Sequence, residues 1–398
     1  MKKTFILALS CFIIICLGCS GIDKNNEIYR NTKILFQQGS GPFELLPWVF
    51  LHSDIVDVYR MNADATDKVR LTHEVKKYDK NGKQITSAMS NCGVFSINAK
   101  QIAFLSRRDL MTIEHRTDGI IVNHCNSEVY IMNFDGTGQR RLTYDGGIKD
   151  DLSLSPNDKI AFIIRNFDTD EETLTVMNKD GSSIRPLFIG KRFLGGGGDR
   201  YFFSPNGSKI IFYTSFNLYL IDLLTNNVRK ITNFKEDGGD YRNYRITGFN
   251  WLTEDKILYV LQKSEGENTS YSFVKLNVDD STNEEIFRLR NLPKGCFINR
   301  LRYAPKRRHI YFKRDDGNDK CRIYRLDIIT KDIFQLTKKN FDIDDIAVSP
   351  EGGHILFTTQ AFFGDNKILF GLDSDGNNLK KLAVLGGSIS DVFWPKND

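Results

Sequence analysis

Hydrophobic positions along this chain recur in short bursts of period two, bounded by turn residues, as half-buried strands require. A basic or polar residue followed by Ile, any residue and an aromatic occurs at 33–36, 101–104, 159–162, 209–212, 256–259, 309–312 and 354–357. Successive copies stand 45 to 68 residues apart. That period is too long for a leucine-rich repeat and suits a four-stranded propeller blade with loop insertions. A strand ending in Ser-Pro or a relative precedes most copies, as at Ser155-Pro156, Ser204-Pro205 and Ser349-Pro350. An alternating strand follows (57–62, 128–133, 217–222, 322–327), then a polar turn and a short strand ending Leu-Thr or Ile-Thr at 69–72, 140–143, 229–232 and 334–337. These four are strands a to d of one blade. The fifth copy has the weakest expected d strand, near 285–289.

The first copy has no strand a before it, and the last segment, 389–394, is a strand a with no strand b after it. Joining them predicts an all-β, seven-bladed propeller of four-stranded antiparallel blades over 29–398. The C-terminal strand would complete the N-terminal blade and remove the exposed sheet edges of an open array.

The Ser-Pro-Asn-Gly, Ile-x-Phe, Leu-Tyr-x-Ile-Asp and Arg-Arg-Leu-Thr elements resemble those of the TolB-type, WD-like (PD40-like) propeller repeat family of bacterial exported proteins. The resemblance spans about 29–398 and implies a fold far more specifically than a function. TolB itself is similar only over its propeller, which has six blades. The same repeats accompany the hydrolase domain of prolyl-oligopeptidase-like enzymes. No Gly-x-Ser-x-Gly nucleophile elbow occurs in this sequence.

Composition narrows the partner. A net charge of +5 is spread without a basic block, which argues against a nucleic-acid binder. Lys2 and Lys3 followed by a largely apolar stretch at 5–17 read as an export signal, too short to span a bilayer. The segment 16–20 (CLGCS) resembles a lipobox. It predicts a signal peptide at 1–18, a lipidated Cys19, a polar tether at 19–28, and membrane attachment through that lipid. Export permits disulfides. Cys92, Cys125, Cys296 and Cys321 form an even set, and the repeat positions favour Cys92–Cys125 and Cys296–Cys321.

In a propeller the d-to-a and b-to-c connections share one face. Here that face carries nearly all the length variation, at 37–54, 73–91, 106–127 and 190–200. Long loops over a rigid scaffold commonly carry binding. The apolar residues Trp48, Phe50, Leu110 and Met111 belong to it, with His52, His115 and His124, a set from which a transition-metal site could be built. Residues at the start of strand a ring the channel mouth: Asp150, Asp151, Asp199, Arg200, Arg245, Arg300, Asp344, Asp345 and Asp391. They could bind a hard cation or a cationic group, or pair with one another. The glycine run 195–198 reads as a turn, and His309 and His354 as repeat positions.

The expectation is therefore an exported lipoprotein of the cell envelope, periplasmic or surface-facing and without a cofactor. It would bind an envelope protein, peptide or glycan through its long-loop face without catalysis. The alternative is a propeller-based glycan lyase or hydrolase, possibly metal-dependent, built on the three His and the Asp ring.

Overall fold

In the computed structural model the chain is an all-β propeller of four-stranded antiparallel blades. The residues described are 33–39, 56–62, 66–72, 76–78, 84–87, 90–95, 100–106, 112–117, 120–125, 127–166, 168–191, 200–234, 244–266, 268–293, 295–316, 321–339, 341–360, 367–385 and 392–393.

Six blades, numbered 2 to 7 after the motif copies they contain, each come from one stretch of chain. Blade 2 is Ser90–Phe95, Gln101–Ser106, Glu128–Asn133 and Arg140–Arg141. Blade 3 is Ile148–Leu154, Lys159–Asn166, Glu171–Asn178 and Arg185–Lys191. Blade 4 is Tyr201–Phe203, Lys209–Thr214, Asn217–Asp222 and Val228–Lys230. Blade 5 is Tyr244–Trp251, Lys256–Glu265, Asn268–Asn277 and Asn283–Pro293. Blade 6 is Phe297–Ala304, His309–Asp315, Cys321–Asp327 and Ile333–Gln335, and blade 7 is Ile343–Val348, His354–Gln360, Lys367–Asp373 and Lys380–Leu385. Each is ordered a-b-c-d, and the a strands of neighbouring blades lie against one another, making them the inner ring.

The expected count of seven equivalent blades is corrected to six such blades and one chain-end sheet. Lys33–Gly39, Val56–Asn62 and Val69–Arg70 form that sheet with Val392–Phe393. The terminal strand contributes only two residue pairs, Leu35↔Phe393 and Phe36↔Val392, against six or more between strands b and c of each blade.

The motifs have physical causes. The Thr that ends strand d reaches back to strand c. Thr72, Thr143, Thr232 and Thr337 each accept, through Oγ1, the backbone N–H of Val58, Val129, Leu218 and Ile323 at 2.9 to 3.0 Å. All four hydroxyls are buried, so each satisfies a donor that water cannot reach. The Ser of Ser-Pro closes the a-to-b turn. Ser155, Ser204 and Ser349 accept the N–H of Lys159, Lys209 and His354 at 2.7, 3.1 and 3.0 Å. The basic head of strand b faces an Asp or Asn across the ladder, as in Lys209↔Asp222 and His354↔Asp373. His309 and His354 are thus repeat positions, and His354 Nδ1 lies 2.9 Å from Asp373 Oδ1.

The Ile and Phe of strand b point to one face of the sheet and the residue between them to the other, yet all three are fully buried, as at Ile102, Ala103 and Phe104, at Ile160, Ala161 and Phe162, and at Ile210, Ile211 and Phe212. Every blade is sandwiched, so the core is a series of seams. In one of them Ala103, Leu105 and Ile131 of blade 2 pack on Leu152, Ile160 and Phe162 of blade 3. At the blade 5–6 seam the inner strands approach so closely that a Cβ on Gly248 would stand 2.5 Å from Leu301 Cδ1.

Blade 5 overturns one expectation. Its d strand is the longest in the described chain, 11 residues rather than a weak remnant. It lacks the Leu-Thr ending, but Ile286, Phe287, Leu289 and Leu292 all pack into one core, with Ile286 and Leu292 buried.

Candidate functional site

Strands a and c of every blade begin on the long-loop face. Two of the expected loops there are built as hairpins, Lys76–Tyr78 with Gln84–Ser87 and Thr112–Thr117 with Ile120–Cys125. Strands b and c of blade 5 reach 10 residues each and carry its hairpin past those of its neighbours. The insertions therefore stand between the chain-end sheet and blade 2, on blade 2 and on blade 5, and between them lies the start of the inner ring.

That ring has a device not evident from the repeat. The inner strands of blades 2, 3, 5, 6 and 7 each break register in the same place: after Asn91, Asp150, Ile246, Asn299 and Ile343. A bulge re-aims the side chain at the break. In blade 3 the residue there is Asp151 and in blade 6 Arg300, both left-handed, with φ of 45° and 54°. A non-glycine residue held this way costs about 1–2 kcal/mol, which the neighbouring seams must offset. The two residues occupy one repeat position with opposite charge, three blades apart.

Around Asp151 the chain assembles three carboxylates and two guanidiniums. Arg200 Nε lies 2.7 Å from Asp151 Oδ2, and its other nitrogens lie 3.2 Å from Glu172 and 3.9 Å from Asp150. Arg165 reaches Asp150 at 2.6 Å and Glu172 at 3.2 Å. Tyr201 donates its hydroxyl to the carbonyls of Asp151 and Ala161, fastening blade 4 to the bulge of blade 3. Burial, opposed by Arg200 and reinforced by Asp150, pushes the Asp151 carboxyl up to about 7. Burial raises the Tyr201 phenol as well.

The opposite arc is basic. Arg300 Nε donates to the Asp344 carbonyl at 2.9 Å and lies 3.8 Å from the buried Asp345 carboxylate. Arg302 holds Asp345 at 3.0 Å. Arg245, exposed, lies over the Phe297 ring at 5.4 Å from its centroid.

The expected ring is thus brought together in two arcs, Asp150–Asp151–Arg200 and Arg300–Asp344–Asp345, with Arg245 beside the second. Asp199 and Asp391 lie outside the described residues. So do Cys19, Trp48, Phe50, His52, Leu110 and Met111, as do the side chains of Cys92, Cys125, His115 and His124. Cys92 falls within strand Ser90–Phe95 rather than in the connection before it. Among the described residues no group of three His, Cys, Asp or Glu is placed to hold a metal ion.

Sequence reasoning missed Glu172 and Arg165, because they come from strands c and b. The signal was available, since strand c starts and strand b ends on the same face as the start of strand a.

The expected Cys296–Cys321 disulfide is corrected: both thiols are free and buried. Strand His309–Asp315 runs between them, since Phe297 pairs with Asp315 and Asp315 with Cys321. Two strand spacings are about 9.5 Å, beyond the ~7 Å that a disulfide can bridge. Burial raises both thiols, Cys321 to about 11, which keeps them protonated and unreactive. The Asp-Gly pairs serve as turns: Asp135 accepts the N–H and hydroxyl of Thr137, and Asp180 those of Ser182.

No protein-family model matches the sequence, and no curated protein is similar to it in sequence. Solved structures are similar in fold. An oligogalacturonate lyase in complex with manganese has a TM-score of 0.56 at 11% identity, over 80% of this chain and 82% of that one. The periplasmic gluconolactonase PpgL of Pseudomonas aeruginosa has a TM-score of 0.53 at 12% identity, over 91% and 98%. TolB from Acinetobacter baumannii has a TM-score of 0.46 at 14% identity, over 85% and 78%. At such identities the likeness shows the fold alone, a β-propeller with TolB among its structural neighbours.

Proposed function

We propose that this protein is an exported, non-catalytic binding propeller, lipid-anchored at Cys19 and holding an envelope protein, peptide or glycan on its long-loop face. In this reading the chain-end sheet is the seventh blade and closes the ring. The observation that carries the proposal is the organisation of the channel mouth. Asp150, Asp151 and Glu172 are each tied to a guanidinium, so the charges form a fixed mosaic suited to recognition. The hairpin entering blade 2, the hairpin within it and the extended blade 5 supply walls around it. Native mass spectrometry with elemental analysis, on protein purified from its own membrane, tests the reading. A metal-free protein arriving with a stoichiometric envelope partner supports it.

One observation favours a second reading, a glycan lyase or hydrolase. Asp151 combines a left-handed backbone with a carboxyl raised to about 7, the profile of a general acid or base. A stoichiometric transition metal in the same measurement, with glycan turnover abolished by Asp151→Asn, would transfer the assignment to it.

Closure has its own test. Deletion from residue 388 onward removes the strand that pairs with Leu35 and Phe36 and should leave aggregated or degraded protein. Soluble monomer with an unchanged melting profile would rule closure out.

A further inference from the structure

The topology fixes the face from which the N-terminal segment departs. Lys33 pairs with Asn62, as Lys209 pairs with Asp222 and His354 with Asp373, so strand Lys33–Gly39 starts on the face of the short a-to-b and c-to-d turns. Between Cys19 and that strand lie only 13 residues, 20–32. A flexible linker of that length spans about 20 Å on average. A lipid on Cys19 would therefore hold the short-turn face, and not the long-loop face, next to the bilayer.

That face has the surface such a position calls for. Leu224 tips the c-to-d turn of blade 4 at 91% exposure, and Ile329 holds the same place in blade 6 at 61%. Ile184 and Leu379 stand exposed on the corresponding turns of blades 3 and 7. Such turns are ordinarily polar, and no packing among the described residues accounts for an aliphatic side chain at 91% exposure. Beside Ile329, the a-to-b turn of blade 6 exposes Lys306, Arg307 and Arg308 in succession. The N–H of Ile328 donates to the Arg308 carbonyl at 3.1 Å, locking the apolar and basic turns into one corner. Asp332 and Glu351 offset part of its charge.

We propose that the short-turn face is a lipid-docking surface, seated on the anionic leaflet that holds the Cys19 lipid. Leu224 and Ile329 enter the headgroup region, and Lys306, Arg307 and Arg308 meet lipid phosphates. Blade 4 stands three places round the ring from the chain-end sheet and blade 6 two places on the other side, so the tether and the two turns make three separated contacts. The long-loop face then points away from the membrane, open to a partner. This placement rests on the lipoprotein reading.

The test uses full-length protein from its own membrane, its acyl chains verified by intact mass, in phosphatidylethanolamine/phosphatidylglycerol vesicles carrying spin-labelled lipid. Environment-sensitive fluorophores are placed at Leu224→Cys, at Ile329→Cys and, on the opposite face, at Asn268→Cys. All three sites are exposed, and the free thiols Cys296 and Cys321 are buried. Quenching that removes most emission at 224 and 329, spares 268, and falls when Lys306, Arg307 and Arg308 are changed together to Gln is expected. Quenching at 268 alone, or at no position, on acylated protein overturns the orientation and leaves the lipoprotein reading standing. An unacylated N-terminus overturns both.

Discussion

Two neighbouring seams of the propeller solve one problem with opposite results. Between blades 2 and 3, Glu128 at the start of strand c meets Lys149 at the start of the next strand a, 3.0 Å away, with both side chains fully buried. Every capacity of that pair is used. Glu128 also accepts from Arg141 at 2.9 Å, from the Gly146 N–H at 2.8 Å and from the Thr143 hydroxyl. Lys149 Nζ reaches Asp145 at 2.5 Å and the Ser127 carbonyl at 3.2 Å. Between blades 3 and 4 the joining pair is instead Glu172 and Arg200, and Asp150 and Asp151 crowd in with only Arg165 as a second cation. One carboxyl there is in excess, half-open to solvent on a left-handed bulge. A satisfied buried pair specifies how two blades meet, whereas an over-acidic, partly buried cluster holds a carboxyl able to take up a proton.

The sharpest way to break this contrast is to unbalance the satisfied seam. Glu128→Ala leaves the buried Lys149 ammonium with only the half-exposed Asp145 as counter-ion and should cost about 3–5 kcal/mol, read by chemical denaturation. Glu128→Gln combined with Lys149→Met should cost less than the single change. A loss under about 1 kcal/mol for Glu128→Ala would mean that the seam does not rely on the pair.

The over-acidic seam should respond in the opposite sense. The folded-state carboxyl of Asp151 is raised to about 7 from 3.8, so the folded state binds a proton more tightly than the unfolded chain. Its contribution is fully present below about pH 4 and is lost as pH rises through about 7. Asp151→Asn should flatten that slope and stabilise the protein at pH 8 by on the order of 2 kcal/mol, read from denaturation midpoints across pH. Destabilisation at pH 8 would show that the Arg200 contact outweighs the burial penalty.

The smallest expected effect comes from the blade 4 counterpart, where neutral Asn217 replaces Glu128 and accepts from Thr232 Oγ1 at 3.1 Å and from the Phe234 N–H at 2.7 Å. Thr232→Val removes the hydroxyl that accepts the Leu218 N–H and should cost about 1–2 kcal/mol. A neutral result in thermal unfolding would mean that the Thr of the Leu-Thr motif contributes packing alone.

The repeat was legible because its cause is local. Ser-Pro, Ile-x-Phe and Leu-Thr each mark a bond or a face within one blade, and strands such as Glu128–Asn133 and Asn217–Asp222 fall where the alternation puts them. The blade 5 d strand was underestimated because its apolar residues alternate without the Leu-Thr signature. The site was legible only by position. Asp150, Asp151 and Arg200 could be placed at the channel mouth from the repeat, while their joining by Arg165 and Glu172 depends on strand ends far apart in sequence. The inner-strand bulges gave no residue signature, since Cys92, Asp151, Thr247, Arg300 and Asp344 share neither size nor charge. The Cys296–Cys321 expectation failed because equivalent repeat positions need not be adjacent across a sheet.

The decisive measurement is site-specific photocrosslinking in native membranes from opposite faces. A benzophenone side chain would replace Tyr244, exposed at the start of the blade 5 inner strand, and in a second variant Leu224. A discrete protein, peptide or glycan adduct from 244 and none from 224 is the predicted result. A discrete adduct from 224 alone would contradict binding through the long-loop face.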